Sequence, residues 1–245
     1  MTRSSGVGAR GRFPGGVGSY SGPVARVLHD EFFLRAKAEG YLARSAYKVL
    51  EIQERFRIVR AGDWVLDLGC APGSWMQAAE KIVGARGVVV GVDLTEVDPR
   101  PAGNFKGFGA RVAFVRGDAF KAEPGELLRL AREVGRGGAG PSPGRVVEEG
   151  EGERAFDVVL SDMAPNTSGH GEDLLSARLC RRVLEVAQKV LRPGGNLAMK
   201  VLEGGENPAL LEETRAMFAK VAGFKPRSSR DVSREMFIVA VGKRG

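Results

Sequence analysis

The chain has 245 residues, 43% of them hydrophobic and 27% charged, which is ordinary globular composition and excludes a wholly disordered protein. Its 37 Lys and Arg against 30 Asp and Glu give +7, unevenly placed: residues 1–60 hold 11 basic and 5 acidic side chains, residues 221–245 hold 6 and 2, and the middle is slightly acidic. No apolar run approaches the roughly 18 residues of a membrane helix. Only two cysteines (Cys70, Cys180) and two distant histidines (His29, His170) leave too little for a disulfide scaffold or a metal cluster, so no metal and a reducing, cytoplasmic setting are expected. Basic ends around a near-neutral middle suit a polyanionic partner, nucleic acid above all, although terminal arms are also basic for solubility alone.

Residues 1–29 contain no acid, four arginines (Arg3, Arg10, Arg12, Arg26) and seven glycines within the first 23 positions. Such a segment buries too little apolar area to offset its chain entropy, so it reads as a flexible basic arm. The glycines argue against the amphipathic helix of an organellar transit peptide. From Asp30 to about Phe56 the pattern is helical, with Ser45 placed to cap a stretch whose Ala46, Val49, Leu50 and Phe56 share a face. Apolar, β-branched runs then recur at 64–68, 88–94, 112–115, 157–160, 196–201 and 236–241. Helical patterns fill the gaps near 75–84, 123–133, 173–191 and 207–221. This alternation predicts one α/β domain over 30–245, a mostly parallel, doubly wound sheet with helices on both faces. Residues 135–152, with seven glycines, two prolines and then Glu148, Glu149 and Glu151, read as a mobile surface insert.

The first strand runs into VLDLGCAPGSW, residues 65–75. A strand delivering Asp67, Gly69 and Gly73 ahead of a helix is a nucleotide-binding turn, but Cys70-Ala71-Pro72 replaces the middle glycine of a dinucleotide fingerprint. Asp93 ends the second strand, placed to accept ribose hydroxyls, and Asp118 closes the third, placed to hold an adenine amino group. Ligands of open α/β sheets sit at such carboxyl ends.

DLGCAPGSW resembles the S-adenosylmethionine loop of Rossmann-like methyltransferases, in the variant of the FtsJ-like ribosomal RNA 2′-O-methyltransferases. The resemblance continues through SDMAPNTSG (161–169), LRPGG (191–195), MKVLEG (199–204) and SREMFIVAVG (233–242), omitting the arm and the insert. It implies a single-domain S-adenosylmethionine-dependent methyltransferase fold, with cofactor contacts from Gly73, Trp75, Asp93, Asp118 and Asp162. It also implies a catalytic Lys-Asp-Lys-Glu tetrad, matched by Lys48, Asp162, Lys200 and Glu235. The implied substrate is a uridine ribose of large-subunit (23S-type) ribosomal RNA, met in the assembled subunit by a monomeric enzyme. A transfer RNA substrate, or a non-catalytic RNA-binding assembly factor, are the alternatives; the intact tetrad speaks against the latter. A nicotinamide dehydrogenase is disfavoured by the missing glycine and by SDMAP.

A ribose hydroxyl is a poor nucleophile while protonated, so the tetrad must align it and accept its proton; alignment alone contributes up to about 7–11 kcal/mol. Lys200 is the candidate base. Burial and a second ammonium at Lys48 oppose its charge, whereas Asp162 and Glu235 favour it. Two mechanisms stay open: a neutral Lys200 that takes the proton, or a cationic Lys200 that stabilises the developing alkoxide. Arg44, Arg227, Arg230 and Arg234 flank the acceptor groove in this reading, as phosphate contacts or as a solvated rim. Tyr41 and Tyr47 are the aromatic candidates for base stacking.

Overall fold

In the computed structural model the described residues are 23–100, 103–109, 111–136, 155–165, 171–229 and 233–245. Residues 1–22 of the expected arm and 137–152 of the expected insert therefore lie outside them, while Gly135 and Arg136 end a helix. Seven strands form one sheet: β1 (Trp64–Leu68), β2 (Val88–Asp93), β3 (Val112–Arg116), β4 (Phe156–Ser161), β5 (Leu191–Leu202), β6 (Phe218–Phe224) and β7 (Glu235–Lys243). Their spatial order is β3-β2-β1-β4-β5-β7-β6. β3, β2, β1, β4 and β5 run parallel, and β7 is inserted antiparallel between β5 and β6. The predicted α/β class and mostly parallel sheet are what the chain adopts.

The strands alternate their side chains between two apolar layers. Trp64, Leu66 and Leu68 of β1 pack with Leu127 and Leu130 of α4 (Pro124–Gly135), Val183 and Val186 of α5 (Glu172–Val190) and Leu210 of α6 (Asn207–Met217). Val65 faces the other way, toward Ala36 of α1 (Pro23–Ala38), Ile52 of α2 (Ala46–Phe56) and Met76 of α3 (Ser74–Val83). β1 is buried along its whole length, which is why its apolar run is nearly continuous. Among the described residues no helix is long and apolar enough to cross a membrane.

Two boundaries differ from expectation. The first helix begins at Pro23, inside the segment assigned to the arm, because proline is tolerated in a first helical turn and Gly22 is followed by no further breaker until Gly40. The helical pattern at 207–221 conceals a change of structure. α6 ends at Met217 and β6 starts at Phe218, buried as the rest of this edge strand largely is not. What holds β6 is its pairing with β7, a long-range term that local periodicity does not contain.

Candidate active site

Strand parity assembles a cluster of charge on the α1–α3 face. Along β5, Leu197, Met199 and Val201 belong to the α4–α6 layer and Ala198 to the opposite one, so Lys200 projects with Ala198. β7 is registered with Phe237 opposite Lys200 and Glu235 opposite Leu202, which makes Glu235 the diagonal neighbour of Lys200. Asp162 follows Ser161, which is level with Met199. α2 crosses this face and turns Lys48 inward, leaving its residue 7% exposed.

The four groups close on one another. Lys48 Nζ lies 3.0 Å from Glu235 Oε2 and 3.7 Å from Asp162 Oδ1. Lys200 Nζ lies 3.0 Å from Asp162 Oδ1 and 3.9 Å from Glu235 Oε1, and it donates to the Asp162 backbone carbonyl at 2.7 Å. Burial pushes the Glu235 pKa upward, but the charges of Lys48 and Lys200 outweigh it and hold this carboxyl below its ordinary range. Lys200 Nζ makes one hydrogen bond among the described residues, to the Asp162 carbonyl, and meets the Asp162 and Glu235 carboxylates only as ion pairs. Nζ is therefore not saturated by hydrogen bonds, and either mechanism named above, a lone pair in the amine or an N–H in the ammonium, is compatible with the geometry.

Beside this cluster, at the carboxyl ends of β1, β2, β3 and β4, opens a cleft of about 600 Å³. That is within the range of small-molecule sites, and it lies where an open α/β sheet binds ligands. Asp93, Asp118 and Asp162 line it together with apolar Val92, Leu94, Phe120, Met163 and Leu175. Asp93 also braces the glycine turn, accepting from the Ala71 amide at 3.0 Å and from the Thr95 amide at 2.7 Å. Asp162 alone belongs to both the cleft and the tetrad. At Gly69, with φ of 81°, an added Cβ would stand 3.0 Å from the Met163 amide nitrogen and closer still to that side chain, so a larger residue would collide with the cleft wall.

Gly73 and Trp75, for which the resemblance implies cofactor contacts, stand at the start of α3. Gly73 is buried with φ of 107°, and a Cβ there would meet Phe108, Leu42 and Val97. The Trp75 side chain is 2% exposed, packs on Phe237 with ring centroids 5.6 Å apart, and donates its indole N–H to the Ser45 carbonyl at 2.9 Å. Ser45 does not cap α2 with its hydroxyl, which instead pairs with the Ser74 hydroxyl at 2.7 Å. Gln77 completes the seam, accepting from the Leu42 amide at 2.7 Å and donating to the Gly40 carbonyl at 3.0 Å. The segment leading into α2 is thus stitched to the helix that follows the glycine turn. Trp75 thus joins the start of α3 to the segment before α2 and to β7. Tyr41 and Tyr47 are likewise internal, with rings 5.9 Å apart and both residues buried, which removes them as stacking platforms.

Asp67 drew notice in the sequence only as part of the turn. It is fully buried on the Val65 side of β1, and neither carboxyl oxygen has a hydrogen-bond partner among the described residues. Burial above all, with the charges of Asp162 and Asp93 adding to it, holds its pKa well above the carboxylate range. The folded protein therefore keeps a proton that an unfolded chain, with a pKa of about 3.9, releases. Stability contributed this way is lost as pH rises above about 4. Asp67→Asn, which cannot ionise, is expected to melt progressively higher than the parent as pH is raised from about 4 to 7, and the gap is expected to close at about pH 4. Melting curves across that range check it; a gap independent of pH would contradict the assignment.

Of the four arginines expected to flank the acceptor groove, Arg227 is exposed on the link between β6 and β7, and Arg230 lies outside the described residues. Arg44 Nη1 donates to the Ser228 carbonyl at 3.4 Å, and Arg234 to the Glu203 carbonyl. The thiols of Cys70 and Cys180 are both buried, and burial pushes the latter up to about 12, so neither is a nucleophile at neutral pH.

A profile of the FtsJ-like methyltransferase family matches residues 41–243. Among curated proteins, the ribosomal RNA large subunit methyltransferase E of Syntrophobacter fumaroxidans is 42% identical over 220 residues, covering 89% of this chain and 98% of that protein. The protein of the same name from Halorubrum lacusprofundi is 38% identical, covering 87% of this chain and 70% of the relative. A crystal structure described as a ribosomal RNA methyltransferase from Plasmodium falciparum shares the fold, with a TM-score of 0.65 and 24% identity over 84% of this chain and all of the other. With the matched profile spanning the glycine turn, the acid-lined cleft and all four charged residues, the chain belongs to the FtsJ-like methyltransferase family.

Proposed function

We propose that this protein transfers a methyl group from S-adenosylmethionine to the 2′-hydroxyl of a uridine in large-subunit ribosomal RNA. The observation that carries the reading is the junction at Asp162, where the acid-lined cleft meets the paired lysines. The cleft suits the cofactor: Asp93 and Asp118 offer carboxylates to hydroxyls and an amino group, and Leu94, Phe120 and Leu175 offer apolar surface to a purine. When bound, S-adenosylmethionine supplies a sulfonium-borne methyl that needs no further activation. What remains for the protein is to orient the hydroxyl and manage its proton. Lys200, hydrogen-bonded to the Asp162 carbonyl and ion-paired with the Asp162 carboxylate, presents Nζ to the acceptor, and Lys48 and Glu235 balance the charge of the cluster. The relatives' names and the basic ends of the chain support ribosomal RNA as the acceptor.

The test is transfer of label from S-adenosylmethionine to unmodified large subunits, free ribosomal RNA and transfer RNA, followed by nuclease digestion to the labelled nucleoside. Label in 2′-O-methyluridine from the subunit is the expected result. Label in transfer RNA would overturn the target, and no label despite cofactor binding would overturn the activity.

A further inference from the structure

The link from β3 to α4 brings Asp118 and Phe120 to the cleft, and it is folded around Asp118. The Lys121 and Ala122 amides donate to the Asp118 carbonyl at 2.8 and 2.9 Å, and the Phe120 amide donates to Asp118 Oδ1 at 2.9 Å. The Gly117 amide donates to the Asp93 carbonyl at 2.8 Å, so the link starts level with the other acid of the cleft. Its far side is gripped from α5. Arg182 donates from Nε to the Ala119 carbonyl at 2.9 Å and from Nη2 to the Ala122 carbonyl at 3.1 Å, across 63 and 60 residues of sequence. Nε and Nη2 share one edge of a rigid plane, so they set the two carbonyls at a fixed separation, which a single ammonium does not. Nη1 donates to Glu185 Oε2 at 3.1 Å on the same helix, and the arginine side chain is 14% exposed. One helical turn earlier, the Arg178 guanidinium carbon stands 5.2 Å from the centre of the Phe120 ring.

Of the described residues, Asp118, Ala119 and Phe120 line the cleft and Arg182 does not, so whatever Arg182 does there it does through the link. The bond from the Phe120 amide occupies Asp118 Oδ1, and Oδ2 is the oxygen that these bonds do not use. Where Oδ2 points depends on where the link is held, because Asp118 is the residue around which the link is folded. A hydrogen bond weakens steeply as its distance and angle depart from ideal, so a small displacement of the link is enough to lose one. We infer that Arg182 is the positioning residue for recognition of the cofactor's base. By gripping the Ala119 and Ala122 carbonyls it holds Asp118 where its second oxygen would accept from the 6-amino group of an adenine, while Phe120 offers the ring apolar surface. Satisfying two backbone carbonyls needs only donors; holding them at one spacing needs the arginine fork.

This inference rests on the S-adenosylmethionine site proposed above, and its test separates the two. The probes are S-adenosylhomocysteine and S-inosylhomocysteine, in which oxygen replaces the 6-amino group of the base. Calorimetry measures the affinity of each for the full-length parent, Arg182→Met, Arg182→Lys, Asp118→Ala and the double variant R182M/D118A. One hydrogen bond to a carboxylate corresponds to a preference of about 10–100-fold for the adenine compound, and the parent is expected to show it. Arg182→Met is expected to reduce the preference to within about threefold, chiefly by weakening the adenine compound, with the KM for RNA unchanged and kcat at saturating cofactor within about twofold. Arg182→Lys, milder for folding, is expected to lose most of the preference as well. In the Asp118→Ala background, adding Arg182→Met is expected to change the preference no further. Arginine variants that keep the parent's preference, whatever their melting temperature, would overturn the inference, since Arg182 would then only brace the fold. A parent with no preference between the probes would overturn it too. A parent that binds neither S-adenosylmethionine nor S-adenosylhomocysteine would instead overturn the functional reading itself.

Discussion

Lys200→Ala is expected to lower kcat about 10²–10⁴-fold while leaving S-adenosylmethionine affinity within a factor of about two, the range associated with removing a positioned acid–base group. The reason for the split is spatial. Lys200 lies in the charged cluster and is not among the residues lining the cleft, whereas Asp93 and Asp118 are. Single-turnover transfer from labelled cofactor, with cofactor affinity measured separately, checks the prediction; equal losses in both would place Lys200 in cofactor binding. The same position separates the two mechanisms. Lys200→Arg keeps the cation but removes the base, because guanidinium does not deprotonate in proteins. If the amine takes the proton, the arginine variant fails as alanine does, and the parent rate rises with pH near neutrality. If the ammonium stabilises an alkoxide, the arginine variant retains substantial activity and the parent profile is flat there.

Asp162→Asn is expected to damage both halves of the site, lowering kcat about 10³-fold and weakening S-adenosylmethionine binding about tenfold or more. The amide is nearly isosteric, so the effect arises from charge. Without the carboxylate, Lys48 and Lys200 retain only Glu235 between them, and both side chains are under 10% exposed. Removing one partner of a buried ion pair costs up to about 3–5 kcal/mol; with Asp162 itself 19% exposed, about 2 kcal/mol is the appropriate scale. For a chain of this size that is a fall of about 4–8 °C in melting temperature. Thermal unfolding, cofactor titration and single-turnover rates measured on one preparation check the three effects. A variant with reduced kcat but normal cofactor affinity would remove Asp162 from the cleft.

The cleft and the tetrad differ in what was legible beforehand. Asp93 and Asp118 stand at strand ends, where a strand-then-turn pattern is strong in sequence. Lys48, Asp162, Lys200 and Glu235 were legible only through the family resemblance, and nothing local says that a lysine within an amphipathic helix such as Lys48 will turn inward. The Ser45 carbonyl that the Trp75 indole binds lies 30 residues away and is invisible to a local pattern. β6 was missed for the same reason, being stabilised by pairing with β7 rather than by its own alternation. Arg182, Gln77 and the buried carboxyl of Asp67 carry no motif, and only the folded contacts disclose them.

The placement of β7 has a consequence for the order of folding. It is synthesised after every other strand of the sheet, yet it is an interior strand, registered along β5 on one side and β6 on the other. Until the ribosome has delivered it, β5 presents an unpaired edge and β6 has no neighbour, the condition in which nascent chains mispair and aggregate. The same strand brings Glu235, so the sheet and the tetrad are completed in one late event. A growing chain that has not yet yielded β7 holds neither the closed sheet nor the complete cluster of four charges.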